Sequence, residues 1–308
     1  MKPAIAGLAE TLRAAGWQGR LREQMPLAPY TTFRLGGPAD LLAEATTSAE
    51  LQDLWRLAAE HGVPCLVLGR GSNVLVADRG VRGLVVLNRC ADWDLSPSGA
   101  LKVGSGMALA EVARRTAAGG WAGLEWSVGI PGSVGGALVG NAGAHGGYMG
   151  DVVEAVTVLD HGRVRTLARD EMGLGYRTSL FKAVPACNGR PVILDATFSL
   201  RPADAAALER RMAELLQWRA DRHPQEPSAG SVFKRTEQYP AGFLIEQAGL
   251  KGRRIGGAQV SPKHANFVVN LGDATAAQVK ALIEEIQETV SARFGVNLEL
   301  EIELVGEW

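Results

Sequence analysis

A stripe of hydrophobic positions at helical spacing predicts a long amphipathic helix over 275–294. The stripe consists of Val279, Leu282, Ile283, Ile286 and Val290. Thr275 and Gln278 have the spacing of a capping box, and Gly295 has the backbone freedom that commonly ends a helix. The pattern therefore predicts both ends of this helix as well as its buried face.

Three further segments have helical periodicity. The first, over 48–62, has apolar residues three and four positions apart and Ser48 as its predicted N-cap. A second helix is predicted over 107–118, and a third over 203–220 with Asp204 as its cap. The third helix separates the first two-thirds of the chain from the remainder.

Short apolar runs between these helices predict β-strands. Runs divided by glycine-containing turns occur over 63–87, and alternating segments follow over 152–159 and 191–200. A last strand is predicted over 296–305, where apolar residues alternate with polar ones. Its polar face carries Asn297, Glu299, Glu301 and Glu303. Because regular strand–helix alternation is lacking, we expect an α+β fold rather than a doubly wound sheet.

Composition narrows the classes of function. The chain has 308 residues, of which 46% are hydrophobic and 21% charged, which is typical of a globular protein large enough for two compact units. Its 32 basic and 33 acidic residues nearly cancel, so net charge provides no attraction for nucleic acid. The sequence has neither an apolar run of the roughly 20 residues that a membrane helix needs nor a signal-peptide core. We therefore expect a cytoplasmic protein.

Cysteine and histidine spacing argues against a metal centre. Cys65, Cys90 and Cys187 are odd in number and form no CxxC pair, so we expect buried thiols rather than a disulfide framework. The five histidines lack the spacing of zinc ligands. No metal is expected.

Glycine is in excess, with 38 residues, and twelve of them fall within 119–150 among apolar residues. Such a segment is ordered, and its backbone must approach something closely. A second glycine loop, GRGSN at 69–73, follows an apolar run, where freed N–H groups can bind a phosphate. The loop matches neither a P-loop nor a Rossmann fingerprint, and alone it favours a plain turn. Together, the two loops favour backbone wrapped around an extended ligand.

Charged and polar residues supply further candidates. The segment 219–263 has eight Lys or Arg against four Asp or Glu, which suits a small anionic ligand or a solvated basic face. Arg177 lies in GYRTSLFK, Ser231 in AGSVFKR, and Glu301 on the polar face of the last strand. Each has a structural alternative, as an ion-pair partner, a cap or a wet face respectively. The residue types alone leave these alternatives open.

Eight sequence blocks in one order cover nearly the whole chain. They are TTFRLGGPAD at 31–40, LGRGSNVLVAD at 68–78, GLEWSVGIPGSVGGALVGNAGAHGG at 123–147, YRTSLFK at 176–182, AGSVFKR at 229–235, AGFLIEQAGLKG at 241–252, HANFVVN at 264–270 and LELEIELVG at 298–306. In these blocks the chain resembles the flavin-dependent UDP-N-acetylenolpyruvoylglucosamine reductases of peptidoglycan synthesis. The blocks and their order make coincidence negligible.

The resemblance implies a fold and a cofactor. It implies a two-subdomain FAD-binding fold of the vanillyl-alcohol-oxidase type over 1–201, with subdomains of about 1–88 and 89–201, and an α+β substrate-binding domain over 202–308. FAD would be noncovalent, NADPH would be the electron donor, and side chains in the glycine loops would keep the backbone from the flavin. The residues implied to contact FAD are Gly69, Arg70, Gly71, Ser72, Asn73, Gly129, Pro131, Gly132, Gly135, Gly136, Asn141, Gly143 and Ala144.

The resemblance also implies roles in catalysis. The reaction reduces the enolpyruvyl double bond of UDP-N-acetylglucosamine enolpyruvate to give UDP-N-acetylmuramate. Ser231 matches the serine that protonates the substrate carbon, Arg177 the arginine of the Tyr-Arg pair, and Glu301 the glutamate of the closing motif. Residues matched to substrate or NADPH contacts are Tyr176, Arg222, Lys234, Arg235, Lys251 and His264.

The chain departs from the longer form of the family. Only a few residues separate Lys182 from the predicted strand at 191–200, so the tyrosine-bearing insertion that closes over the substrate is lacking. The chain resembles the short form. Arg235 stands where the family has asparagine or arginine, and Thr236 replaces the proline that often follows.

The sequence leaves two other functions open. An oxygen-using flavin oxidase of the same superfamily would share the glycine loops but not the set of Arg177, Ser231 and Glu301. A non-catalytic nucleotide-sugar-binding protein would bind the same ligands without turnover. For all three functions we expect small-molecule ligands, no nucleic-acid or membrane partner, and a monomer.

Overall fold

The computed structural model describes residues 2–187 and 189–308, and their mixed helices and strands confirm the α+β class. The helices are α1 Pro3–Leu12, α2 Ser48–Glu60, α3 Leu109–Ala118, α4 Val134–Val139, α5 Met149–Val152, α6 Ala205–Arg222, α7 Ala241–Gln247 and α8 Ala276–Phe294. The strands are β1 Arg22–Pro26, β2 Pro38–Ala45, β3 Cys65–Leu68, β4 Val74–Val76, β5 Val81–Asn88, β6 Trp93–Leu95, β7 Ala100–Gly104, β8 Trp121–Ala122, β9 Gly143–Ala144, β10 Gly147–Tyr148, β11 Val153–Asp160, β12 Arg163–Ala168, β13 Val192–Ser199, β14 Arg201–Pro202, β15 Arg254–Ile255, β16 Ala258–Val260, β17 Val268–Asn270 and β18 Glu303–Val305. In these described ranges, no helix has both the length and the apolar content that a membrane crossing requires.

The chain divides into two compact units, each assembled from three segments. The first unit contains the residues up to Gln24, Asp40–Arg70 and Gly83–Trp218. The second contains Met25–Ala39, Gly71–Arg82 and Arg219–Trp308. This division differs from the boundary predicted near Arg201, because most of α6 packs within the first unit and two early segments join the second.

The first unit is built mainly on an antiparallel sheet of order β12-β11-β13-β7-β6. β11 pairs with β13 from Val153 opposite Phe198 to Leu159 opposite Val192. The inward side chains of these strands form one apolar core with α3 and α4, since alternate residues of a strand share a face. A separate sheet, of order β1-β2-β5-β3, has β3 parallel to β5.

The start of α2 differs by one residue from the prediction. Thr47, not Ser48, is the N-cap, because Thr47 has the extended φ of −127° and its hydroxyl accepts a hydrogen bond from Glu50 N at 3.2 Å. Glu50 completes the capping box by accepting the Thr47 backbone N–H. Ser48 is therefore the first residue inside the helix.

The second unit is organised around α8. The predicted stripe of this helix is at most 1% exposed, Thr275 and Gln278 form the capping box, and Gly295 has φ of 68°, so the predicted helix is confirmed. Asp78 adds a second cap, because its carboxylate accepts hydrogen bonds from the amides of Ala276 and Ala277 at 2.8 and 2.9 Å. A three-stranded sheet, β15-β16-β17, and the parallel pair of β4 and β18 complete the unit.

The last strand is shorter than predicted. Only β18 is a continuous strand, and the predicted start of the strand at Val296 is wrong. The chain changes pairing partners here: Leu300 bridges Phe233, whereas Glu303 pairs with Val74. The predicted alternation fails at its end as well, because Val305 is the buried residue there.

Candidate functional site

In the glycine loop at 69–73, two carbonyl oxygens accept hydrogen bonds from other parts of the chain. In the first unit, Gly69 O accepts a hydrogen bond from Arg89 Nη1 at 2.7 Å. In the second unit, Gly71 O accepts one from Thr32 N at 3.1 Å. A diphosphate is repelled by carbonyl oxygens and bound by amide N–H groups, so engaged carbonyls suit an anion-binding loop.

At several glycines the chain itself leaves no room for a side chain. A Cβ on Gly69 would overlap Ser133 Oγ, and one on Gly71 would overlap Tyr30 O. Gly71 also has φ of +60°, which L side chains disfavour. A Cβ on Gly135 would come within 3.1 Å of a neighbouring side chain. Packing within each unit therefore explains part of the glycine excess. Contrary to the expectation from the sequence, the cofactor does not account for all of it.

Other glycines of the 129–147 block have room for a side chain. A Cβ on Gly136, in α4, would lie 3.5 Å from Ser133 Oγ, an ordinary contact, and one on Gly140 would lie 4.0 Å from its nearest neighbour. Neither glycine has a positive φ. Packing of the chain does not require glycine at these positions, so a cradle for an external group fits them. The space beside Gly136 and Gly140 is therefore compatible with a bound flavin.

Arg177 occupies a tight turn that hydrogen bonds from residues 129–147, the glycine-rich block, hold in place. Gly175 and Thr178 exchange two backbone hydrogen bonds, of 3.1 and 3.4 Å, and Arg177 lies between them at φ of 53°. Left-handed backbone at a non-glycine residue costs about 1–3 kcal/mol, so surrounding contacts must hold it. Arg177 Nη2 donates to Gly143 O at 2.9 Å, and its guanidinium carbon lies 5.6 Å from the ring centre of Tyr176.

Two buried side chains bind the same turn to the block. Asn141 Nδ2 donates to Gly175 O at 2.9 Å, and Ser179 Oγ donates to Val139 O at 2.7 Å. Asn141 is 6% exposed and Ser179 3% exposed, so each bond satisfies polar groups that water does not reach. Asn141 thus has a structural task in addition to its predicted contact with the cofactor.

The other predicted flavin contacts surround α4 and β9. Gly132 has φ of 137°, and its carbonyl accepts a hydrogen bond from Leu109 N at 3.1 Å. Ala144 pairs with Gly147 in the short hairpin of β9 and β10. The positions just before α4, Gly129 and Pro131, are half-buried and exposed respectively. These residues lie in the same unit as the Arg177 turn.

Ser231 and Glu301 lie on adjacent extended segments of the second unit. Glu301 N donates to Val232 O at 2.8 Å, while Ser231 pairs with Phe267 on its other side. Both side chains are half-buried, as a group that must meet a ligand requires. The structure brings these two predicted catalytic residues onto neighbouring segments, and it places Arg177 in the first unit.

Asn73 connects the glycine loop to the segment that carries Glu301. Asn73 Nδ2 donates to Glu301 O at 3.1 Å, and Asn73 O accepts from Glu303 N at 2.9 Å. The side chain of this predicted cofactor residue is therefore engaged by the protein. Ser72 and Arg70, on the same loop, are half-buried and exposed.

The basic residues of the second unit are partly neutralised by glutamates. Lys234 Nζ lies 3.1 Å from Glu299 Oε2, and Lys251 Nζ lies 2.8 Å from Glu246 Oε1. Exposed ion pairs contribute only about 0.2–1 kcal/mol, so a phosphate can replace such partners. The two arginines predicted to bind substrate have exposed side chains, Arg222 and Arg235.

His264 sits in a tight turn as a neutral imidazole. Burial lowers the pKa of His264, and the positive charge of Lys251 lowers it further. Its Nδ1 accepts a hydrogen bond from Asn266 N at 3.2 Å, which places the ring proton on Nε2. The ring packs against Phe267 with centroids 4.9 Å apart.

The sequence reasoning missed two buried polar residues, Ser179 and Asn266. Asn266 is 7% exposed, and its side-chain amide bonds both to Phe233 N and to Phe233 O. Both missed residues lie inside quoted motifs. Asn266 stands in an otherwise apolar run, where a polar side chain needs an internal partner, and this signal can identify it. Ser179 follows Arg177 and Thr178, and its local sequence gives no such signal.

Two family models match the chain. A model described as an FAD binding domain matches residues 39–168, and one described as the C-terminal domain of UDP-N-acetylenolpyruvoylglucosamine reductase matches residues 222–305. The first model includes both glycine loops and the second includes Ser231, His264 and Glu301.

Proteins of one name are similar to nearly the whole chain. UDP-N-acetylenolpyruvoylglucosamine reductase 2 from Symbiobacterium thermophilum is 46% identical, with 98% of each chain covered. UDP-N-acetylenolpyruvoylglucosamine reductase from Heliobacterium modesticaldum is 44% identical, with 94% of this chain and 92% of the relative covered. The crystal structure of the corresponding reductase from Thermus caldophilus is similar with a TM-score of 0.79 and 38% identity, over 92% of this chain and 99% of that one.

Proposed function

The chain belongs to the UDP-N-acetylenolpyruvoylglucosamine reductase family, and from that membership we propose how its residues carry out the reaction. It is an FAD-dependent oxidoreductase that reduces UDP-N-acetylglucosamine enolpyruvate to UDP-N-acetylmuramate in peptidoglycan synthesis. The observation on which the residue roles depend is the direct hydrogen bond between Arg177 and Gly143 of the glycine-rich block. That bond holds a cation beside the segment with room for the flavin.

FAD is held without a covalent bond by backbone of the two glycine loops. The N–H groups of 69–73 would bind its diphosphate, and the block from 129 to 147 would line the flavin, for which the open positions Gly136 and Gly140 leave room. When bound, FAD supplies the hydride chemistry that couples NADPH oxidation to reduction of the enolpyruvyl double bond. The residues of the chain supply binding, charge stabilisation and the proton.

Three side chains act on the substrate as the double bond is reduced. Reduction at the terminal carbon leaves negative charge on the adjacent carbon and its carboxylate. Arg177 pairs with this carboxylate, and Glu301, in its protonated form, donates a hydrogen bond to the developing charge. Ser231 Oγ–H donates the proton that completes the lactyl ether. A serine hydroxyl is a weak acid, so the donation depends on the strong basicity of the carbon that receives the proton.

The basic residues of the second unit bind the sugar nucleotide or NADPH. Lys234 and Lys251 exchange their glutamate partners for phosphate oxygens, with Arg222 and Arg235 adding charge at the surface. Tyr176 of the first unit and His264 of the second contact the substrate. As in the short form of the family, no tyrosine-bearing insertion takes part in closure. The enzyme works as a monomer in the cytoplasm.

An anaerobic titration tests cofactor, donor and acceptor in one sample. The purified protein should be yellow, NADPH should bleach it, and UDP-N-acetylglucosamine enolpyruvate should restore the colour in stoichiometric amount. Acid precipitation should leave the flavin in the supernatant, whereas a covalent flavin would favour an oxidase. A colourless protein that refuses added FAD, or a bleached one that the sugar nucleotide fails to reoxidise, overturns the proposal.

A further inference from the structure

The strand that carries Ser231 is held from two sides. On one side, Glu301 N donates to Val232 O at 2.8 Å. On the other side, Asn266 forms three hydrogen bonds: its carbonyl accepts from Val232 N at 2.8 Å, its Oδ1 accepts from Phe233 N at 3.0 Å, and its Nδ2 donates to Phe233 O at 2.8 Å. Both residues that follow Ser231 are therefore hydrogen-bonded to Asn266.

An amide side chain is specifically suited to this contact. Phe233 presents one N–H and one C=O to Asn266, and only a group that both accepts and donates satisfies the two. Asn266 is 7% exposed and Phe233 is 1% exposed, so water does not replace a lost bond. The side chain thereby replaces the backbone pairing that a regular strand would provide.

Asn266 is itself held rigidly by a tight turn. Ser261 Oγ accepts hydrogen bonds from the amides of Lys263 and His264 at 3.2 and 3.4 Å. His264 O accepts from Phe267 N at 2.9 Å, and His264 Nδ1 accepts from Asn266 N at 3.2 Å. A turn with this many internal bonds presents the amide in one position, as a positioning group must.

We propose that Asn266 is a positioning residue that holds Ser231 at the distance required for proton donation, an inference that rests on the proposed function. Asn266 acts through the backbone of Val232 and Phe233 and does not itself touch the substrate. A displacement of about 1 Å in a reacting group costs on the order of 10²-fold in rate. Loss of the amide therefore slows protonation of the substrate carbon, and reduction of the enzyme by NADPH is unaffected.

The chain offers a matched control in Asn270. Asn270 is 4% exposed and four residues further along, and its side chain also bonds only to backbone: Nδ2 to Phe33 O at 3.0 Å, and Oδ1 to the amides of Gly272 and Ala274. None of these partners belongs to the Ser231 segment. A general loss of stability should affect both variants, and misplacement of Ser231 only one.

The test is a double-mutant cycle on the FAD-loaded enzyme, with the two half-reactions followed separately by stopped-flow absorbance. Asn266→Ala should slow reoxidation by the enolpyruvyl substrate about 10- to 100-fold and leave bleaching by NADPH within about twofold. In a Ser231→Ala background it should add almost nothing, because residues that act as one unit are non-additive. Asn270→Ala should leave both half-reactions within about twofold of wild type.

The outcomes separate this inference from the proposed function. A full additional slowing by Asn266→Ala in the Ser231→Ala background, or an equal slowing by Asn270→Ala, overturns the positioning role. Unchanged reoxidation in Ser231→Ala overturns the proposed role of Ser231 and the inference with it. If Asn266→Ala fails to retain FAD, Asn266→Ser, which keeps one donor and one acceptor, is taken through the same cycle and judged by the same non-additivity.

Discussion

In the proposed function, the glycine-rich block of the first unit and the Ser231 segment of the second unit serve the reaction in opposite ways. The block contributes backbone from which side chains are missing: Gly136 and Gly140 have room for a Cβ that the chain does not use. The Ser231 segment contributes a particular hydroxyl, placed by pairing with Asn266 and Glu301. The block therefore depends on the absence of side chains, and the Ser231 segment depends on the presence of one.

This difference determines which kind of substitution should impair each region. An added methyl group should impair FAD binding by the block, because it occupies the space that we propose for the cofactor. Removal of the Ser231 hydroxyl should impair the second unit, because the proposed proton donor is lost while the backbone remains paired. Addition and deletion, applied to both regions, therefore test the two descriptions independently.

The largest effect is expected from a deletion in the second unit. Ser231→Ala should keep bound FAD and its reduction by NADPH, and should slow reoxidation by the enolpyruvyl substrate at least ~10²-fold, because loss of a positioned proton donor typically costs about 10²- to 10⁴-fold. Stopped-flow measurement of each half-reaction gives the result. Ser228→Ala, at a half-buried serine three residues earlier, is the control and should behave as wild type. Unchanged reoxidation in Ser231→Ala removes this residue from the mechanism.

An addition in the first unit should have the next largest effect. Gly136→Ala places a methyl group 3.5 Å from Ser133 Oγ, an ordinary contact, so the FAD-free protein should keep its melting temperature. Its affinity for FAD should fall about tenfold or more, as expected when an extra methyl group costs about 1–3 kcal/mol in a packed site. Fluorescence titration of the FAD-free protein measures the dissociation constant.

The neighbouring Gly135 supplies the contrast. Its Cβ would come within 3.1 Å of Ser105 Cβ, so Gly135→Ala should lower the melting temperature of the FAD-free protein itself. If Gly136→Ala destabilises the FAD-free protein as much as Gly135→Ala does, or leaves FAD affinity unchanged, then Gly136 is not an open position for the cofactor.

Local periodicity predicted the regular parts of the fold well. The stripe, the capping box and the terminal Gly295 of α8 all depend on residues within one helix, so the sequence contains them. The last strand was predicted poorly for the opposite reason. Its residues exchange one partner for another between Leu300 and Glu303, and alternation along a chain contains no information about which strand lies beside it.

In the candidate site, too, features that depend on distant residues could not be predicted from the sequence. A glycine count cannot separate Gly71, which the backbone of Tyr30 excludes from any substitution, from Gly136, which has open space. That distinction arises from residues far apart in sequence. The same holds for Asn266, whose importance depends on a partner 33 positions away. Family resemblance names Ser231 and Glu301, but only the structure gives the contacts that hold them.

The smallest effect concerns the turn that holds Asn266. Burial lowers the pKa of His264 below its ordinary value of 6.5. Between the lowered pKa and about 6.5, the unfolded chain binds a proton that the folded chain does not, so the free energy of unfolding falls as pH decreases through this range and is fully recovered above it. Urea denaturation at pH 7 and pH 5.5 measures the loss, and His264→Asn should reduce it by removing this titration. His161→Asn, at a side chain 86% exposed, is the control. If the loss is equal in wild type and His264→Asn, proton binding at His264 does not weaken the turn.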